Sequence, residues 1–131
     1  MKHLFLAVAL LGTTATTCLA QGNFPPPPTA AESQTGKQNM IAKTNDLENN
    51  LKANDMGKAE DAAAQVLKLM KTRVAQTRYM AEATSGTQKD DLMKRMLMLE
   101  NRVFAFMKDA KDVPTNGTSL VAQARVFTND Y

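Results

Sequence analysis

The sequence predicts an all-α chain, a small antiparallel four-helix bundle set behind a secretion signal. Three observations predict it. From about residue 33 onward the apolar residues recur at intervals of three and four, the period of a helix with one buried face. No segment shows the apolar–polar alternation of a half-buried strand. The breaks between periodic stretches are short and built from residues that start or stop helices, which favours an up-down-up-down order.

Residues 1–20 have the three-part layout of a cleavable signal. Lys2 and His3 give a short basic start, Leu4 to Leu11 an apolar core, and Gly12 to Ala20 a run rich in small residues. The apolar run is far shorter than the ~20 residues that span a bilayer, so a membrane anchor is not expected. Cleavage after Ala20 would leave Gln21 as the first residue. A lipid anchor at Cys18 is not expected either, because Thr17 stands where a lipoprotein signal places Gly, Ala or Ser. The chain is therefore expected to be exported, to a periplasm or to the medium.

Residues 21–32 read as a flexible tail. Pro25-Pro26-Pro27-Pro28 imposes a short polyproline segment, which serves as a spacer more often than as a ligand for a proline-reading groove. The bundle is expected to occupy residues 33–131. Its first helix, over about 33–53, carries Met40, Thr44, Leu47 and Leu51 on one face. Asn54-Asp55 breaks it, and Asp55 is a suitable N-cap for a second helix over about 56–84. That helix presents Ala59, Ala63, Val66, Leu67, Met70, Val74, Thr77 and Ala81. Ser85-Gly86 ends it, and Thr87 with Asp90 suggests a capping box for the next.

The third helix, over about 88–112, shows the clearest pattern. Leu92, Met96, Leu99, Val103, Phe106 and Ala110 form one row, widened by Met93, Leu97, Phe104 and Met107. Val113-Pro114-Thr115-Asn116-Gly117 reads as a turn. Thr118 would then cap a final helix about half as long as the central pair, carrying Leu120, Val121, Ala124 and Phe127. A short last helix would leave apolar surface uncovered at one end, suited to a homodimer or another protein partner. Asn116-Gly117-Thr118 also matches a glycosylation sequon, relevant only in a eukaryotic source.

The composition excludes much chemistry. The only His (His3) and the only Cys (Cys18) both lie within the signal, so the mature chain has neither. Without them a Ser-His-Asp triad, a Cys-His pair and a usual zinc site cannot be built. There is no Gly-rich phosphate loop. Asp90-Asp91 falls in the first turn of a helix, where acids stabilise the dipole. Glu100 lies on a buried-looking row and should face the region of Lys71 and Arg73, as a flanking ion pair. The 16 basic and 13 acidic residues are interleaved, and Trp is absent, so nucleic acid is not an expected partner. An enzyme is not expected, and no cofactor is assigned.

Methionine is the one excess, with nine in the chain and Met93, Met96 and Met98 clustered. Thioethers are soft ligands that can hold Cu(I). Met is also a flexible core filler, and Met96 falls in the core row while only Met98 looks exposed. Core filling is the reading preferred here; a three-Met copper site is the alternative.

One stretch resembles a known family. Leu51-Lys52-Ala53-Asn54, Gly57-Lys58, Ala62-Ala63-Ala64, Arg73 and Tyr79 are similar to the last helical hairpin of the soluble periplasmic b-type cytochromes. Thr77 stands where that family's haem-ligating His falls. The resemblance implies a four-helix architecture and a periplasmic location. Together these readings point to an exported, non-catalytic helical module with a structural, interaction or chaperone-like role. The alternative is a periplasmic carrier of Cu(I), bound through Met, or of haem in the bundle.

Overall fold

A computed structural model describes residues 28–131. The expected signal over 1–20 and the first part of the Pro-rich tail lie outside the described residues. The described chain is all-helical, with no strand among those residues. Helix α1 spans Ala30–Lys52, α2 Met56–Glu82 and α3 Gly86–Asp109; a 3₁₀ turn over Ala110–Asp112 leads into α4, Val113–Asn129.

The start of α1 precedes the expected boundary because of a local signal. Thr29 accepts a hydrogen bond from the backbone N–H of Glu32, and the Glu32 carboxylate accepts one from the N–H of Thr29. This reciprocal pair satisfies donors that a bare helix end would leave open. At the other end Asn54 takes φ +56, a left-handed conformation that Asn tolerates. Asp55 then caps α2 through the N–H of Lys58, as its position predicted.

The next two boundaries differ from expectation. No Thr87–Asp90 box forms. Ser85 occupies the N-cap position without a side-chain hydrogen bond, and the helix begins at Gly86 with φ +70. The reversal itself supplies the reason: the chain needs a positive φ there, which glycine adopts without a Cβ penalty, so the helix starts one residue ahead of Thr87.

The expected turn over 113–117 is instead the opening of α4. Asp112, not Thr118, is its N-cap and accepts from the N–H of Thr115. Pro114 falls in the first turn, where a missing N–H costs nothing, so proline initiates this helix rather than ending the previous one. Gly117 is buried within α4, and a Cβ there would come within 2.6 Å of the Leu51 side chain. Its role is close approach of α4 to α1, not a turn. At 17 residues against 27 and 24 for α2 and α3, α4 is also longer than half their length.

One core runs through all four helices. Met40 and Leu47 of α1 meet Val66 and Met70 of α2, Leu99 and Phe106 of α3, and Leu120 and Phe127 of α4, each fully buried. The expected rows on α1 and α2 and the Met96–Phe106 part of the α3 row are the residues that face inward. Consecutive helices double back, α1 against α2 and α2 against α3, and α4 packs against α1, α2 and α3.

Candidate functional site

The apolar rows exceed what the core absorbs, and the surplus lies on α3. Phe104 is 58% exposed and Leu97 51%, both more than Met98 at 38%. Leu97 and Phe104 are seven residues apart and share a face, flanked by the half-buried Met93 and Met107. The sequence reading placed both in the widened core face. The error is geometric: on the helical wheel Leu97 and Phe104 lie further from the buried Met96, Leu99 and Val103 than the half-buried Met93 and Met107 do.

This stripe borders a groove of about 370 Å³ between α2 and α3, lined by Lys71, Val74, Ala75 and Arg78 on one side and by Glu100, Phe104 and Met107 on the other. Across it the Arg78 guanidinium donates to Glu100 at 2.6 Å, while its Nε lies 3.3 Å from the sulfur of Met96. Arg78, rather than Arg73, is therefore the ionic partner of Glu100. Both members are partly solvated, so the bridge contributes about 1 kcal/mol or less. It fixes the two walls relative to one another and leaves the apolar floor open.

Arg73 points to the opposite side of α2. It is buried, donates to the backbone oxygen of Tyr131 and to the Ser33 hydroxyl at 3.4 Å, and stacks its guanidinium 4.5 Å from the Tyr131 ring centroid. Burial pulls the Arg73 pKa down, and the interaction with Tyr131 partly restores it. Burial pushes the Tyr131 phenol up, with Arg73 opposing. Arg95 donates to the backbone oxygens of Asp130 and Tyr131, and Arg102 pairs with the Asp130 carboxylate. Three arginines from two helices thus anchor the last residues of the chain, a cluster with no periodic signature in sequence.

The three clustered methionines do not converge. Met96 is buried in the core, Met93 is half-buried on the groove side, and Met98 lies exposed on another side of the helix. Residues two apart on a helix project about 200° apart, so Met96 and Met98 cannot share one small ligand. Thr77, at the position of the haem ligand in the resembling family, is fully buried and donates its hydroxyl to the carbonyl of Arg73. Among the described residues no three His, Cys, Asp or Glu side chains gather as a metal site. No helix among them is long and apolar enough to cross a membrane.

Comparison with known proteins gives no match to a family model, a curated protein or a solved structure.

Proposed function

We propose that this chain is an exported, non-catalytic four-helix bundle that works by docking a protein partner on the outer face of the α2–α3 hairpin. The observation that carries the reading is the exposure of Leu97 and Phe104 beside the groove bridged by Arg78 and Glu100. Large exposed side chains at helical spacing cost solubility unless something covers them, and an apolar centre rimmed by charge is the usual anatomy of an interface. Export is supported by the layout of residues 1–20.

The rim carries both signs, Lys71 and Arg78 beside Glu100, so it does not repel a second copy of itself by net charge. A second copy of the chain is therefore the first partner to test. Sedimentation velocity over a range of concentrations should show a dimer that the double variant Leu97→Ser/Phe104→Ser abolishes. The unfolding temperature of the variant should stay close to that of the parent, because neither side chain is in the core. A parent protein that stays monomeric at every concentration and binds no apolar dye would overturn the reading.

A further inference from the structure

The seam between α1 and α4 carries a different chemistry from the α2–α3 groove. Glycine brings the two segments close at two points: Gly117 of α4 lies against Leu51, and Gly36 of α1 lies against Tyr131, two residues past α4. Between those points the seam opens into a pocket of about 250 Å³. On the α1 side stand Lys37, Ile41, Thr44 and Asn45, whose spacing of three and four puts them on one flank of the helix. On the α4 side stand Arg125, Thr128 and Asn129, again three and four apart. The pocket shares no lining residue with the α2–α3 groove.

The walls are rich in donors and poor in free acids. Among the described residues Lys37 pairs with no carboxylate. Arg125 meets Glu48 through one terminal nitrogen at 3.0 Å, which leaves two nitrogens able to donate. Asn45 and Asn129 add amide N–H groups. The acids nearest in sequence are all committed: Asp46 to Lys43, Glu48 to Arg125 and Lys52, Asp130 to Arg102. Thr44 stands out among the helical threonines. Thr72, Thr77, Thr84 and Thr128 each donate to the carbonyl four residues back. The Thr44 hydroxyl is buried with no such bond and no other partner among the described residues. A buried hydroxyl left unmatched is costly, and an acceptor brought against Thr44 relieves it.

We infer that this pocket binds a small organic carboxylate, its charged end between Lys37 and Arg125 and its apolar chain along Ile41. Donors on both walls call for a ligand that accepts, and two cations favour one that is negatively charged. Ile41, 46% exposed, is the apolar surface within reach of such a chain. Size bounds the ligand. At the ~30 Å³ that a water takes in the liquid, about 250 Å³ holds about eight non-hydrogen atoms, the size of a six-carbon monocarboxylate.

The test is a titration of the purified protein with sodium hexanoate, followed by the methyl signals of Ile41 and the backbone amides of residues 125–129. Those signals should shift saturably, while those of Leu97 and Met98 stay in place. Hexanol keeps the chain without the carboxylate, acetate keeps the carboxylate without the chain, and each should bind more weakly. Lys37→Gln should weaken hexanoate binding about fivefold, the effect of losing one partly exposed ion pair, and leave the unfolding temperature unchanged. Lys43→Gln makes the same change of charge on α1 outside the pocket and should leave the binding as it was. Hexanol that binds as well as hexanoate would overturn the proposal. So would equal losses in the two lysine variants, which mark a general attraction for anions, or the absence of a saturable shift.

Discussion

The two ends of the bundle are finished in different ways. At the end holding the α1–α2 and α3–α4 connections, closure is apolar: Leu51 seats on Gly117, with Val113, Phe106 and Leu120 buried nearby. At the other end closure is polar, through Arg73, Arg95 and residues 130–131. Dense apolar packing gains from each contact and tolerates no gap. The polar end holds the first turn of α1 and residues 130–131 by directed hydrogen bonds. The first end therefore depends on shape and the second on hydrogen-bond geometry.

The sharpest way to break this contrast is to empty the apolar side. Phe106→Ala should cost about 3–5 kcal/mol, read as the midpoint of chemical denaturation, because a fully buried ring leaves a cavity that surrounding helices fill only in part. Overfilling the same end comes next. Gly117→Val should cost about 1–3 kcal/mol, since its side chain must displace Leu51. If Gly117→Val proved neutral, the two helices would not be in the close contact that defines this end.

Loss of the polar tie should weigh comparably or less. Arg73→Ala removes the donor to Tyr131 and Ser33 and should cost about 1–2 kcal/mol, with faster amide exchange confined to the first turn of α1 and the last of α4. The smallest effect is a pH dependence. The folded Tyr131 phenol titrates above its ordinary range because of burial, so its contribution is intact below about pH 10 and fades as pH rises through the folded value. Tyr131→Phe should flatten the alkaline limb of a stability-against-pH curve and leave neutral pH unchanged.

Much of the architecture was legible in the sequence. The break at Asn54-Asp55 and the rows on α1 and α2 follow from period and capping chemistry, which act within one or two turns. The boundary at 113–117 was not, because Pro114, Asn116 and Gly117 have two meanings. They mark a turn when nothing packs on them. They open a helix when Asp112 caps the first turn and Leu51 needs the space of a missing Cβ. Leu97 and Phe104 were misplaced for a similar reason: a helical row says which residues share a face, not how wide a neighbour covers that face.

By itself the sequence determined the helical class and most inward-facing rows, and it limits the chemistry by confining His and Cys to residues 3 and 18. Tertiary structure alone decided that Glu100 meets Arg78 and that Arg73 holds the chain's last residue. It also decided that Gly117 of α4 lies against Leu51 of α1. Period and capping are set by residues three or four apart, whereas partners across a bundle depend on where each helix ends relative to the others, a sum over the whole chain that no local pattern carries.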